Sequence, residues 1–139
     1  MKLSTRSRYG MRLMIDLAQH WGEGHIALKD IAERQGISKK YLEQIVSLLT
    51  SHKLLKATRG FSGGYQLARD PHEITAADVV QATENSLSSL ACIADPVTCE
   101  RSSTCPALGL WAGLDDCMRK YLEGITLSDL AKSAPAPVQ

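Results

Sequence analysis

Three of the four cysteines in this chain lie within fourteen residues, at Cys92, Cys99 and Cys105. Six and five residues separate them, and the chain contains no Cys-x-x-Cys pair. Structural zinc sites usually use such closely paired cysteines, so this spacing argues against zinc. Thiolates on a polar loop suit an iron–sulfur cluster, whose irons lie farther apart than the ligands of a single ion. A thiol redox switch, zinc or no ligand at all remain alternatives.

The chain shows no targeting feature that would explain these thiols as disulfides. It has no apolar run of about 18 residues, and no charged segment leads into a short apolar core. We therefore expect a cytoplasmic protein that does not enter a membrane. In a reducing compartment, clustered cysteines more often serve metal or redox chemistry than structural disulfides.

A thiol enzyme is the alternative from another functional class. Such an enzyme needs an activating base beside a cysteine of low pKa. All four histidines lie outside the cysteine loop, at His20, His25, His52 and His72. We therefore expect a protein that is not an enzyme.

The charge is divided between the two halves of the chain. Residues 1–70 carry twelve Lys and Arg against six Asp and Glu, whereas residues 71–139 carry four against nine. A basic region is typical of proteins that bind phosphates, because each neutralised phosphate releases counterions. A solvated basic surface would give the same count.

The basic half reads as three helices. The first is capped by Ser4 or Thr5, and its predicted apolar face consists of Tyr9, Leu13, Leu17 and Trp21. A short helix over 29–35 then breaks at Gly36, and a second helix follows Ser38 with a predicted buried side of Leu42, Ile45, Val46 and Leu49. Two helices joined through a glycine turn predict a helix-turn-helix.

The second helix of this motif would read DNA with its exposed side. Its start combines a helix dipole with two lysines, which suits a phosphate or a base edge in the major groove. Glu43 would be repelled by phosphates, so its predicted role is to accept from a cytosine amino group and reject other bases. The alternative is a solvated face on which Glu43 pairs with Lys39 or Lys40. The candidate DNA-binding residues of the helices are Arg6, Lys39, Lys40, Tyr41, Glu43, Gln44 and Ser47.

A glycine-rich hairpin follows the helix-turn-helix. Two alternating runs, 55–58 and 65–68, flank the segment RGFSGG and predict a wing. Glycines there permit close approach to a sugar-phosphate strand, and arginine supplies charge for phosphate or a narrow minor groove. A plain hairpin remains an alternative. The candidate wing contacts are Arg59, Gly60, Ser62, Gly63 and Gly64.

The second half, 71–132, is predicted to carry the cysteine loop and a dimerisation helix. A capping box from Thr75 to Asp78 opens a helix, the loop spans 92–105, and an amphipathic helix spans 106–123. A second copy of the chain would cover its apolar stripe, although folding back on its own core is an alternative. We expect a short turn capped by Ser128 and a flexible tail over 133–139. The predicted class is a mostly α winged helix-turn-helix with a small β-hairpin wing.

Five stretches and the three cysteines together resemble one bacterial family. The blocks MKLSTRSRYGMRLMIDLA, LKDIAERQGISKKYLEQI and RGFSGGYQLARDPHEIT, followed by three cysteines, LW and GITLSDL, are similar to winged-helix regulators of the IscR and NsrR type over 1–132. The resemblance implies a homodimeric repressor or activator that reads a near-palindromic site on double-stranded DNA and responds to the state of an iron–sulfur cluster, with [2Fe–2S] preferred over [4Fe–4S]. It also implies that Glu43 tunes the choice of site. Relatives without the cysteine triplet, such as the repressors of cysteine metabolism, imply a cluster-free regulator with a disulfide switch as the alternative.

The resemblance leaves the fourth ligand of the cluster unassigned. IscR-like members imply a histidine at the position of Leu108, and NsrR-like members imply a carboxylate from the partner's first helix at the position of Arg8. The remaining candidates are a histidine, Cys117, Asp95 and Glu100. Cys117 lies about 18 Å along the helix axis from Cys105 at 1.5 Å per residue, so we expect a half-buried helix residue there instead of a ligand.

Overall fold

The computed structural model describes residues 3–61, 63–84, 87–88, 90–95, 97 and 99–133. The helices are α1 (Thr5–Gln19), α2 (Leu28–Gln35), α3 (Lys39–Ser51), α4 (Ala76–Glu84), α5 (Ala91–Ala94), α6 (Leu108–Glu123) and α7 (Leu127–Ser133). Strands β1 (Leu55–Thr58) and β2 (Gly64–Leu67) form one antiparallel hairpin. The predicted fold class, mostly α with a small wing, is confirmed.

Helix α1 begins where its cap was expected. The Ser4 side chain accepts a hydrogen bond from the backbone amide of Ser7 at 3.1 Å. The helix buries Leu13 and Leu17, as predicted, together with Met14. Trp21 does not belong to this face, because α1 ends at Gln19 and the indole is 46% exposed.

The helices of the helix-turn-helix end and begin at the predicted residues. Helix α2 ends at Gly36, whose φ of +64° is the left-handed conformation that glycine adopts at little cost. Helix α3 begins after Ser38, whose side chain accepts from the amide of Tyr41 at 3.1 Å. These two ends fix the turn that sets α3 against α2.

The wing is held by more than its own two strands. Leu55 pairs with Leu67 at the buried end of the hairpin, and Thr58 pairs with Gly64 toward the tip. The amide and carbonyl of Ile26 also bond to the carbonyl and amide of Tyr65, each at 2.8 Å. Strand β2 covers 64–67 instead of the predicted 65–68, because the hairpin register pairs Gly64 with Thr58 and Leu67 with Leu55.

Two capping boxes organise the C-terminal half. Thr75 and Asp78 exchange side-chain to backbone bonds at 2.9 and 3.2 Å, as predicted. Thr126 and Asp129 form the same box at the start of α7, at 3.0 and 3.1 Å. The prediction of a turn capped by Ser128 is therefore wrong, because Thr126 is the cap and the segment is a helix. The part of the tail beyond 133 lies outside the described residues.

One hydrophobic core joins the two halves of the chain. Its fully buried large residues are Leu13, Met14, Ile31, Leu42, Ile45, Leu49, Leu67, Ile74, Val79 and Leu127. Helix α6 lies outside this core and begins two residues after the predicted start at Pro106, because residues 105–108 form a turn. Across the helices that the structure describes, none is both long and apolar enough to span a bilayer.

Candidate DNA-binding surface and cysteine loop

Helix α3 presents most of its predicted contact residues to solvent. Lys39, Lys40, Glu43, Gln44 and Ser47 are all exposed. They lie opposite the buried side of α3, which packs into the core. The helix can therefore enter a groove of DNA with these side chains without disturbing its packing.

Tyr41 differs from its neighbours on α3. Its side chain is half-buried, and its ring meets the Tyr9 ring in a T-shaped contact at 5.7 Å. The Arg12 guanidinium lies over the other tyrosine of this pair, 5.4 Å from the Tyr9 centroid. Tyr41 thus joins the start of α3 to α1 and is only partly free for DNA.

The exposed carboxylate of Glu43 has no cationic partner among the described residues. Among the residues that the structure describes, none forms an ion pair with Glu43, and neither Lys39 nor Lys40 makes one. The ion pair between Glu43 and a neighbouring lysine, which was the alternative, is therefore not formed. The carboxylate is available to a ligand on this face.

Helix α3 and the wing share one open groove. Its lining combines Glu43, Ser47 and Thr50 of α3 with Ala57, Arg59 and Tyr65 of the hairpin. Residues on the exposed side of α3 and residues of the wing therefore line the same groove. A single duplex can contact both elements, which a winged helix requires of its partner.

The tip of the wing is a tight glycine turn. Gly60 has a φ of +110°, and the amide of Gly63 donates to its carbonyl at 3.1 Å. Arg59 is exposed, and it has no hydrogen bond or ion pair within the described part of the chain. Phe61 is also completely exposed, whereas the predicted contact Ser62 lies outside the described residues.

Gly63 and Gly64 are needed for a reason other than the predicted close approach to DNA. A Cβ atom on Gly63 would lie 2.2 Å from the Thr58 carbonyl oxygen, and one on Gly64 would lie 2.3 Å from that of Ile26. Both distances are far shorter than a van der Waals contact. These positions require glycine because the chain approaches itself, whether or not DNA also approaches.

Arg6 is held by α4 instead of extending freely. Its Nε donates to the Thr83 carbonyl oxygen at 2.8 Å. The Ser7 and Thr83 hydroxyl oxygens lie 2.6 Å apart beside this bond. Arg6 therefore belongs first to the α1–α4 contact, and only part of its guanidinium is left for the predicted DNA contact.

A buried ion pair fixes the helix-turn-helix on α1, and the sequence reasoning missed it. The carboxylate of Asp16, 2% exposed, accepts two bonds from Arg34 at 2.7 and 3.0 Å and a third from Gln35 at 2.9 Å. The hydrogen bond to Asp16 raises the pKa of the Arg34 guanidinium above its ordinary value. An aspartate amid the apolar residues of α1 was the available signal, since buried carboxylates are almost always paired.

The predicted cysteine loop lies between α4 and α6. Cys92 belongs to the short helix α5, and its side chain is outside the description. Cys99 and Cys105 are half-buried free thiols, in a chain of tight turns from 99 to 108. Cys117 is exposed on α6, which corrects the prediction of a half-buried residue, because the protomer leaves that side of α6 uncovered.

The donor set of this loop fits an iron–sulfur cluster in its chemistry. Thiolates are the usual ligands of such clusters, and three of them share one short segment. Leu108 and Arg8 have no ligating atom suited to iron, so neither implied fourth ligand is present. Asp95 and Glu100 are exposed within the loop. Among described side chains, which exclude that of Cys92, no three of His, Cys, Asp and Glu are arranged to hold a metal.

Asp115 is a second buried carboxylate that the sequence reasoning did not single out. It is 4% exposed and accepts a hydrogen bond from the Ser88 hydroxyl. The Ser88 hydroxyl oxygen also lies 3.1 Å from the Leu90 carbonyl oxygen. The segment that leads into α5 is thereby attached to α6.

Comparisons with known proteins agree with this arrangement. Residues 3–133 match the model of the Rrf2 family, described as "Iron-dependent Transcriptional regulator". The protein Rrf2 of Nitratidesulfovibrio vulgaris is 40% identical over 134 residues, covering 96% of this chain and 89% of that protein. The transcriptional regulator IscR of Photorhabdus laumondii is 38% identical, covering 96% and 80%. The structure of CymR, the global cysteine regulator of Bacillus subtilis, superposes with a TM-score of 0.80 at 38% identity, covering 97% and 99%.

Proposed function

Because this chain belongs to the Rrf2 family of transcriptional regulators, we propose that an iron–sulfur cluster on Cys92, Cys99 and Cys105 controls its binding to DNA. That the chain is a DNA-binding transcription regulator follows from the family and its fold. The observation that carries the proposal is the placement of three thiols in one loop of such a regulator, two of them half-buried and free. The family's description as iron-dependent supports it.

The proposed DNA contact uses α3 in the major groove and the wing beside it. The shared groove between them supports this arrangement, because it aligns their exposed sides. Lysines at the start of α3 and Arg59 on the wing supply charge for phosphates, and Glu43 selects among base edges. The proposed contacts are Lys39, Lys40, Tyr41, Glu43, Gln44, Ser47, Arg59, Gly60, Ser62, Gly63 and Gly64, with Arg6 at the margin.

The functional unit in this proposal is a homodimer formed through α6. That helix buries only Asp115 in the protomer, and it exposes Leu110 by 65%, Trp111 by 36% and Tyr121 by 70%. Large apolar side chains exposed along one helix are typical of an association surface. A twofold dimer places two copies of α3 for the half-sites of a near-palindromic operator.

The three thiolates would hold the cluster, with a fourth ligand from elsewhere. When bound, such a cluster supplies a centre that responds to oxidation, nitric oxide or iron supply; [2Fe–2S] is our first choice and [4Fe–4S] the alternative. The loop can pass its state to DNA binding because it joins two elements of the protein. The segment just before it is attached to α6 through Ser88 and Asp115, and α4, which precedes that segment, packs on α1.

A cluster-free regulator is the second candidate. It is supported by the similarity to CymR, whose structure is titled as that of a cysteine regulator, and by the free thiols of Cys99 and Cys105. In this version two loop cysteines form a disulfide on oxidation and thereby alter DNA binding.

Anaerobic purification followed by iron and sulfide analysis and a visible spectrum separates the two candidates. The cluster proposal predicts that Cys92→Ala, Cys99→Ala and Cys105→Ala each abolish or strongly destabilise iron binding. Cys117→Ala is the matched control and should retain the cluster. Iron-free protein in which two interdependent cysteines respond to oxidant and a third is dispensable would support the thiol switch instead.

The same preparations test whether the loop regulates DNA binding. A ligand shifts an equilibrium only by its unequal affinity for the two states, so loaded and cluster-free protein should differ in operator affinity. Affinities are measured at one salt concentration on several duplexes. Equal affinities on all of them would contradict control by the cluster.

A further inference from the structure

Phe61 is the most exposed large apolar side chain that the structure describes, at 112% of its reference area. It is also the only phenylalanine in the chain. Single exposed apolar residues are common on protein surfaces and carry no meaning alone. Position is what distinguishes this one, because it lies at the tip of the element that is expected to meet DNA.

The described residues on either side of Phe61 are held by backbone contacts. The Gly60 conformation and the hydrogen bond from Gly63 to Gly60 close the tip. At the base, Leu55 and Leu67 are each almost fully buried in the core, and the Ile26 bridge braces β2. A ring presented on such a support loses little conformational freedom on binding, since an aromatic side chain has only two rotatable bonds.

The residues that lead into the wing tip line the groove that α3 also lines. Arg59 lines the groove that α3 and the hairpin share, and Phe61 follows it by two positions. The exposed guanidinium of Arg59 suits the negative potential of a narrow minor groove. When α3 lies in the major groove, the wing beside it lies over the flanking minor groove.

From these observations we propose that Phe61 is an apolar wedge that enters the minor groove next to each half-site. This inference rests on the proposed DNA-binding arrangement and adds a contact that reads deformability instead of base edges. Apolar wedges partly unstack a base step and kink the duplex, which is easiest at pyrimidine–purine steps. The chain should therefore prefer TA or CA steps in the flanks, at positions that α3 does not touch.

The test begins with duplexes recovered from a random library by the wild-type chain, whose flanks are rebuilt with either TA steps or GC steps. With TA flanks, Phe61→Ala should lower affinity about tenfold, as expected for losing the burial of one aromatic side chain. Phe61→Leu should retain most of the affinity, because it remains apolar. With GC flanks, wild type and Phe61→Ala should differ less.

Salt dependence separates the wedge from the neighbouring charge. Phe61→Ala should leave the slope of log affinity against log salt unchanged, because no phosphate contact is lost. Arg59→Ala should instead reduce that slope by about 1. A 2-aminopurine base at the flanking step should brighten when wild type binds and not when Phe61→Ala binds.

Three outcomes would overturn the wedge. The first is Phe61→Ala binding within twofold of wild type on both flanks, and the second is a loss that comes with a reduced salt slope. The third is a 2-aminopurine signal that both proteins produce. If the wild-type chain enriched no duplex from the library, the proposed function would fail and the wedge with it. If the wild-type chain enriched duplexes normally but Phe61→Ala did not change the affinity, only the wedge proposal would be overturned.

Discussion

The hydroxyl oxygens of Ser7 and Thr83 lie 2.6 Å apart where α1 meets α4, and both residues are almost completely buried. The Thr83 hydroxyl oxygen is also 2.9 Å from the Val79 carbonyl oxygen, and the Ser7 hydroxyl also bonds to the Glu84 carboxyl, so both hydroxyls belong to one polar network. Arg6 donates to the Thr83 carbonyl beside them. The start of α1 is thereby attached to the last turn of the helix that precedes the cysteine loop.

Replacing Thr83 by Val should destabilise the protein by leaving the buried Ser7 hydroxyl without this partner. The expected loss in the free energy of unfolding is about 1–3 kcal/mol, measured by urea titration. The double variant Ser7→Ala with Thr83→Val should lose less than the two single variants combined, because it leaves no orphaned hydroxyl. Strictly additive losses would show that the two hydroxyls do not depend on each other.

Glu84 makes this contact sensitive to acid. Burial alone would raise the pKa of its carboxyl, but hydrogen bonds from Ser4 and Ser7 and the charge of Arg6 bring it below its ordinary value of 4.5. A carboxyl with a lowered pKa in the folded state adds stability above 4.5, and that stability is lost as the pH falls through the folded value.

Glu84→Gln should therefore reduce the free energy of unfolding near neutral pH, and the difference from wild type should shrink below pH 4.5. Urea titrations at several pH values measure it. Glu33→Gln, on the exposed side of α2, controls for the loss of one negative charge. A difference that stayed constant from neutral to strongly acidic pH would contradict the assigned role of Glu84.

The local elements were readable from the sequence because local chemistry forms them. Gly36 ends α2 with a left-handed residue, and Ser38 and Thr75 cap the helices that follow them. Periodicity also identified the buried side of α3. The second capping box was missed even though ITLSD at 125–129 repeats the pattern of ITAAD at 74–78, and the cap was placed on Ser128 instead of Thr126.

The long-range polar contacts could not be read in the same way. Asp16 meets Arg34 across 18 positions, and Ser7 meets Thr83 across 76. Such pairs depend on how helices dock, which no local pattern encodes. The surface residues of α3 and the wing were identifiable as exposed and polar, but the constraint on Gly64 became visible only when Ile26 was found beside it.

Gly64→Ala should disrupt the wing, because the added Cβ would lie 2.3 Å from the Ile26 carbonyl oxygen. Either the Ile26 bridge or the end of the hairpin must move. We expect a loss of stability of roughly 1–3 kcal/mol, the usual cost of overpacking, and weaker DNA binding. Lys56→Ala, at an exposed position of β1, should leave the unfolding free energy near that of wild type. Unchanged unfolding of Gly64→Ala would contradict the close approach.

Glu43→Ala should broaden the choice of DNA sites without weakening binding. The carboxylate is exposed and unpaired among the described residues, so in the groove it repels phosphates and rejects base edges that lack an amino group. Selection from random DNA should recover more varied sequences, at similar or higher affinity. Glu33→Ala serves as the control for charge. Identical selected sequences for wild type and Glu43→Ala would assign Glu43 to the solvated side of α3.

The apolar stripe of α6 provides the sharpest test of the dimer. Leu110 and Tyr121 are 65% and 70% exposed in the protomer, so an aspartate at either position should cost the isolated fold little. In a dimer that buries both residues, Leu110→Asp or Tyr121→Asp places charge in an apolar contact and should cause dissociation. Sedimentation measures the mass of each variant, and circular dichroism checks its folding.

Arg119→Glu is the matched control for these substitutions. Arg119 is exposed on α6, and at 100° per residue it lies on the side opposite Leu110 and Tyr121. This variant should remain dimeric. Dissociation should also weaken operator binding steeply, because one protomer contacts only one half-site. Folded Leu110→Asp and Tyr121→Asp proteins that kept the mass of wild type would show that α6 does not form the interface.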